Sequence, residues 1–352
     1  VVKLDDKPED VIAEEQAAPP PAVKDQKSVK ATVAKKVVSA KKAAPKPRPT
    51  LAEESDFVKI LYYGKPKSGK TTAAATLARL GRVLYIDAES GLKKKPLLEH
   101  GIPVANIEPF REITVEALDE FFWTVRGRVA DGGDHTPIGM VWDSTSESHK
   151  KLLEASAAKT HAKAVAKGTA HTRTSEYAIE LQDYGTNTQE MRHLIRQFRD
   201  LEMHVGFVAL EKREQDDDGK VTYGPDLTAK LAEDLAGFVD IVCHTFTLAQ
   251  GDDEEPEYWG LFRASGKYTA GDRFKALPPR LINPSFDRVI AYVNGDLDVE
   301  SDPEMAAAKA RRSNGGAAGA TGESPATPTA APSATKAGAK RGPIRASSVT
   351  KP

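Results

Sequence analysis

The 352-residue chain carries 50 Lys/Arg against 51 Asp/Glu and a single cysteine. That excludes an intramolecular disulfide scaffold and a cysteine-based metal cage. Charge is unevenly spread: residues 1–50 hold 11 Lys/Arg and 7 Asp/Glu, residues 301–352 hold 8 and 3, and the middle is left near about −10. An acidic middle argues against a protein that coats polyphosphate passively, so nucleic-acid contacts are expected only at local basic patches or tails. No run of 18 apolar residues occurs and VVKLDDKPEDV lacks the apolar block of a secretory signal, so a cytoplasmic protein with no membrane contact is expected.

Residues 1–54 are rich in Ala, Pro, Lys and Glu and precede the first aromatic residues of the chain; residues 299–352 are rich in Ala, Gly, Ser and Pro and weakly basic. Both compositions bury too little apolar surface to offset ordering entropy, which predicts two disordered tails around a core at 55–298. Within the core, FVKILYY (57–63) is a first strand, followed by a Gly-rich turn and a small-residue helix, TTAAATLARL (71–80). RVLYID (82–87) is the second strand, 115–130 has helical apolar spacing, and IGMVWD (138–143) is the third strand. A long polar segment, 144–185, leads to a stronger helix carrying Met191, Leu194, Ile195, Phe198 and Leu201, then to a fourth strand, HVGFVAL (204–210). Beyond it come a turn at Asp218-Gly219, a helix at 227–238, and strands at 240–249 and 257–264, read as antiparallel additions to a mainly parallel sheet. The expected class is α/β.

Between the first strand and its helix, Gly64-Lys65-Pro66-Lys67-Ser68-Gly69-Lys70-Thr71 matches G-x-x-x-x-G-K-[ST] in the strand–loop–helix context the motif requires, with Thr72 following. The two glycines permit a path that points successive N–H groups inward at a phosphate. Lys70 is expected to reach the β- and γ-phosphates, and the Thr71 hydroxyl to hold Mg²⁺. Asp143, ending the apolar strand IGMVWD, is the expected second Mg²⁺ partner, although Asp before STSESH also suits a helix N-cap.

VLYIDAESGL (83–92) puts Asp87 at a strand end and Glu89 two residues on. Functional groups collect at the carboxyl ends of parallel strands, so Glu89 is placed to polarise a water near the γ-phosphate, with Asp87 bracing the turn. Asp143 is followed by Ser144 and not by Glu, which favours a base from another strand.

GKPKSGKTT, YIDAESGL and VWDS in this order resemble the core of RecA-family recombinases, and the resemblance covers roughly 57–293. The size, the motif order and GDRFKALPPRLINPSFDRVIAYV (271–293) are similar to RecA-like single-strand annealing and recombination ATPases of bacteriophages, also described as phage AAA ATPases. The resemblance implies a RecA-like P-loop core that binds ATP and Mg²⁺, with Glu89 activating the attacking water and Asp143 organising the metal. It also implies a γ-phosphate sensor at Glu211, where the family usually has Gln. A carboxylate there needs a partner, and Lys212, Arg213 or the metal are the candidates.

KKLLEASAAKTHAKAVAKGTAHTR (150–173) is the strongly basic stretch of the core. On a helix, Lys159, Lys163 and Lys167 form one cationic stripe suited to a phosphate backbone, with Arg173 beyond. A solvated helix face is the plain alternative. Arg273 and Lys275 are candidates for cations acting on the nucleotide of an adjacent subunit, against the alternative of a surface loop paired to the acidic core. The expected function is Mg²⁺-dependent ATP hydrolysis coupled to single-stranded DNA in phage recombination or annealing, by a homo-oligomeric ring or filament, with a single-strand binding protein as a further candidate partner. The alternative is an NTP-dependent switch or assembly ATPase acting on a protein partner; a small-molecule kinase is disfavoured because no acceptor lid is evident.

Overall fold

The computed structural model describes residues 57–169, 175, 178–249 and 256–314. Its strands are β1 (Lys59–Gly64), β2 (Val83–Asp87), β3 (Ile107–Phe110), β4 (Gly139–Asp143), β5 (His204–Gln215), β6 (Val221–Pro225), β7 (Ile241–Leu248), β8 (Glu257–Leu261), β9 (Gly271–Asp272) and β10 (Arg280–Ile282). The helices are α1 (Lys70–Ala75), α2 (Lys94–Glu99), α3 (Val115–Asp131), α4 (Thr145–Ala166), α5 (Leu181–Arg199), α6 (Ala229–Phe238), α7 (Phe286–Asn294) and α8 (Pro303–Asn314). The sheet runs β10-β8-β7-β1-β5-β4-β2-β3, with β6 paired to β5 and β9 to β7. From β7 to β3 every pair is parallel, and β8, β9, β10 and β6 join antiparallel. The architecture is the expected α/β one, a mostly parallel mixed sheet between helices.

Alternation along the strands sorts the core into two faces. Leu61 and Tyr63 of β1, Met140 and Trp142 of β4, and Phe207 of β5 pack with residues of α3, α5 and α6. Ile60 and Tyr62 of β1, Val141 of β4 and Val208 of β5 pack with residues of α1 and α7. Strands buried on both faces read as continuous apolar runs, which is why KILYYG, VLYID and GMVWD are legible as strands.

Four features differ from the expectation. First, β7 is parallel to β1, not antiparallel: the β5–β6 hairpin and α6 together form a crossover that returns the chain in the β1 direction. Second, β3 adds a parallel edge strand, IEPF, in which Ile107 and Phe110 are partly buried and Glu108 and Pro109 exposed, so it carries no alternation. Third, much of the polar segment 144–185 is α4, which lacks an apolar stripe because its buried residues all lie between Thr145 and Ala157 while the rest projects from the core. Fourth, α8 lies inside the segment 299–352 that was expected to be unstructured.

An ion pair and a small apolar cluster explain α8. Asp302, fully buried, accepts from Arg288 and from Tyr292 Oη at 2.7 Å, and Ala308 packs with Trp259 and Ile282. Burial raises the Asp302 pKa, but the bonds from Arg288 and Tyr292 outweigh it and hold the carboxyl below its ordinary value. Stability from a depressed carboxyl is present above the unfolded-state pKa and is lost as pH falls through the lower folded one. Asp302→Ala removes the acceptor of Arg288 and Tyr292, while Arg288 keeps Glu304 at 3.2 Å, so a loss of about 1–3 kcal/mol is expected in denaturant unfolding. Among the described residues no helix is long and apolar enough to cross a membrane.

Candidate active site

Register carries the site. Gly64 at the end of β1 is level with Leu210 of β5 and Thr245 of β7; Asp143 is level with Val208 of β5 and with Asp87 of β2. The carboxyl ends of β7, β1, β5, β4 and β2 therefore form one edge, and the polar residues that end these strands meet there.

At the end of β1 the loop leaves through Gly64, where a Cβ would sit 2.2 Å from the Thr245 carbonyl oxygen, so no side chain fits. Gly69 closes the loop in the left-handed region at φ 83°, its open side against the Tyr258 ring. Ser68 Oγ lies 2.7 Å from Thr245 Oγ1, which ties the loop to β7. Lys65 and Lys67 are exposed and Thr72 half-buried, whereas Lys70 is buried. Lys70 Nζ donates to the carbonyls of Gly64 (3.0 Å) and Lys65 (2.7 Å). Burial pushes the ammonium pKa down, while the charges of Asp143, Glu89 and Glu211 push it back up. Three carboxylates, from β4, β5 and the turn after β2, thus act by charge on one lysine.

Asp143 is 7 % exposed and accepts from Tyr85 Oη at 2.8 Å and from the Thr71 hydroxyl. Burial raises its pKa, against the Thr71 and Tyr85 hydrogen bonds, and the Glu89 charge adds to the rise. A hydroxyl and a carboxylate side by side, with no third protein ligand among the described residues, fit Mg²⁺, which keeps several waters and takes substrate phosphate oxygens. The N-cap of α4 is Ser144, whose Oγ accepts from Glu147 N at 3.2 Å. Asp143 is thereby released from the capping role that its sequence position also suited.

Asp87 and Glu89 separate cleanly. Asp87, 2 % exposed, accepts from Gly91 N (2.8 Å) and Arg111 Nε (3.1 Å), and so closes the turn. Glu89 is exposed and accepts from the Ser144 hydroxyl. Ala88 N donates to the Asp143 carbonyl (2.7 Å), and Lys151 Nζ to the Ala88 carbonyl (2.6 Å), so the turn carrying Glu89 is pinned to β4 and α4. Ser144→Ala removes the donor that orients Glu89. It is expected to lower turnover about 10-fold with ATP affinity little changed, read as kcat against KM.

Glu211, at the far end of the sheet portion of β5, is paired, but not with the expected neighbours. Its Oε2 lies 2.6 Å from His244 Nε2, while Lys212 pairs with Glu214 at 3.0 Å.

A family model described as an AAA domain matches residues 56–274, more than half of the chain. The chain belongs to this AAA domain family. A search among curated proteins returns no match. The AAA domain is an ATPase-type P-loop domain, and the Gly64–Thr71 loop lies inside the matched residues.

Two expected groups lie away from the strand-end edge of this AAA domain. β9 pairs with Ile241 and Val242, the first residues of β7, so Arg273 and exposed Lys275 sit at the opposite end of the sheet from Gly64. Arg273 donates to Asp240 Oδ1 (2.7 Å) and to the Gly237 carbonyl (3.3 Å). Of the basic stretch, Lys150 pairs with Asp226 and Lys151 with Ala88, against the body of the AAA domain. Lys159 pairs with Glu116 at 3.0 Å, which raises its pKa, and Lys163 and Lys167 are exposed on the projecting end of α4. Arg173 lies outside the described residues.

Sequence reasoning missed Ser144, Tyr85, Lys151 and His244. Ser144 alone had a local signal, S-T-S-E at 144–147, the pattern of a capping Ser. The other three act through contacts between distant segments.

Proposed function

We propose that this AAA domain binds ATP with Mg²⁺ and hydrolyses it in a RecA-like manner, coupled to single-stranded DNA in phage recombination or strand annealing. The observation that carries the hydrolytic part is the convergence of Lys70, Thr71, Asp143 and Glu89 on one sheet edge, with Ser144 joining the last two. In this reading the loop N–H groups from Lys67 to Thr72 hold the phosphates and the Lys70 ammonium meets the β/γ oxygens. Mg²⁺, held through Thr71 and Asp143, supplies neutralisation of charge on those oxygens. Glu89, oriented by Ser144, takes a proton from the attacking water. Glu211 meets the γ-phosphate end from β5.

DNA coupling draws on α4, which is capped by Ser144 beside Glu89 and carries its basic residues outward. Lys159, Lys163 and Lys167 would meet backbone phosphates without reading bases, since the stretch offers no aromatic residue for stacking. Arg273 and Lys275, remote from the nucleotide loop of their own chain, would act only across an interface in a ring or filament. The test is phosphate release from ATP with and without single-stranded DNA at low salt. Stimulation is expected, and Lys159, Lys163 and Lys167→Glu together should abolish it while basal hydrolysis stays within about twofold. Absence of both stimulation and DNA retention would refute the DNA coupling.

A protein partner is the second reading, favoured by one feature. Trp123 is 54 % exposed beside a cleft of about 560 Å³ between α3 and α5, with the Arg126 guanidinium 5.2 Å from its ring. An exposed aromatic with an arginine suits a protein contact. Retained function after the α4 charge reversal would favour it.

A further inference from the structure

We infer that His244 is a positioning residue for Glu211, the group that allows a carboxylate to stand at the phosphate end of the site; the inference rests on the nucleotide site proposed above. The contact is a short Nε2–Oε2 approach of 2.6 Å, with side-chain exposures of 5 % for His244 and 6 % for Glu211. An ionised carboxylate only accepts, so the proton of this bond belongs to Nε2. The imidazole cannot swing away. It stacks on Tyr268 with centroids 4.2 Å apart and 19° between planes, lies near-parallel to Phe246, and touches Tyr63 at 5.0 Å. Tyr268 stacks in turn on Tyr223 of β6, and Tyr63 Oη donates to the Thr269 carbonyl at 2.7 Å.

A purely packing role does not account for the residue. His244 Nδ1 is buried with no hydrogen-bond partner among the described residues, a cost that a phenyl ring in the same aromatic stack would not carry. What the imidazole adds over a phenyl is the Nε2 bond to Glu211. The next residue, Thr245, binds the nucleotide loop through Ser68, so the same strand end fixes both the loop and the Glu211 carboxylate. Without His244, Glu211 would face a triphosphate as an unpaired buried charge.

The experiment is steady-state ATP hydrolysis by the full chain and by His244→Phe, His244→Gln, Glu211→Gln and the double variant Glu211→Gln/His244→Phe, with folding checked by Tm. His244→Phe keeps the stack and removes the bond; kcat should fall about 10-fold or more, and His244→Gln, whose amide donates to Glu211, should recover most of it. In the Glu211→Gln background, His244→Phe should cost less than about twofold, since the carboxylate it serves is gone. Wild-type kcat in His244→Phe, equal losses in both backgrounds, or His244→Gln as slow as His244→Phe would each overturn the inference. If His244→Phe does not fold, His244→Asn, too short to reach Glu211, takes its place with the same outcomes. Lys70→Ala separates the two levels. Hydrolysis equal to wild type in Lys70→Ala refutes the nucleotide site itself, whereas loss there with full activity in His244→Phe refutes only the role of His244.

Discussion

Glu89→Gln is expected to lower ATP turnover by about 10²- to 10⁴-fold, the range a positioned general base contributes, while ATP affinity stays within a few-fold of wild type. The split follows from where the side chain sits. Glu89 is exposed at the end of β2 and its contact is the Ser144 hydroxyl, not the nucleotide loop. Glutamine keeps an oxygen to accept from Ser144, so the turn pinned by Asp87, Arg111 and Lys151 should hold its shape, and only the capacity to take a proton is removed. Nucleotide binding by equilibrium titration and turnover by phosphate release, on the same preparation, read the two quantities. Normal turnover in Glu89→Gln would remove the water-activating role and leave the loop intact.

Lys70→Ala should damage both quantities. The ammonium is the cation that the charges of Asp143, Glu89 and Glu211 act on, and its removal leaves that negative charge without it when a triphosphate binds. A hydrogen bond to a charged group is worth about 1.5–3 kcal/mol, which corresponds to a loss of about 10- to 100-fold in ATP affinity. Turnover should drop further, by about 10²- to 10³-fold, because charge develops on the leaving-group oxygen in the loose transition state, where the ammonium would stabilise it. The carbonyls of Gly64 and Lys65 lose a donor in the same variant. Thermal unfolding therefore has to accompany the kinetics, and unchanged affinity in a folded Lys70→Ala would contradict the placement of phosphates on this loop.

The parts of this protein that were legible in the sequence share one physical property. β1, β2 and β4 are buried on both faces, so each is an apolar run, and each stops at a Gly or Asp on the carboxyl edge of the sheet: Gly64, Asp87 and Asp143. Motif spacing and strand ends then coincide, and the loop, Glu89 and Asp143 fall on one edge by register alone. The direction of β7 was not legible, because IVCHTFTL reads the same in either sense and its pairing depends on the crossover through α6. Nor was α4, whose second half has no core to face and thus no apolar period. The partner of Glu211 was hidden for a related reason. His244 lies 33 residues away in an apolar run where a histidine reads as core, and only the β5–β1–β7 order brings it to the carboxylate.

The carboxylate pair at the end of β2 is thus divided: Asp87 is buried in hydrogen bonds, and Glu89 is exposed and bonded to Ser144, the N-cap of α4. The most direct test of the proposed chemistry is phosphate release from ATP by the full chain, measured with Mg²⁺ and again with the metal chelated. Hydrolysis that requires Mg²⁺ and disappears in Glu89→Gln is the predicted result. No hydrolysis of any nucleoside triphosphate with Mg²⁺ present, with or without single-stranded DNA, would contradict it.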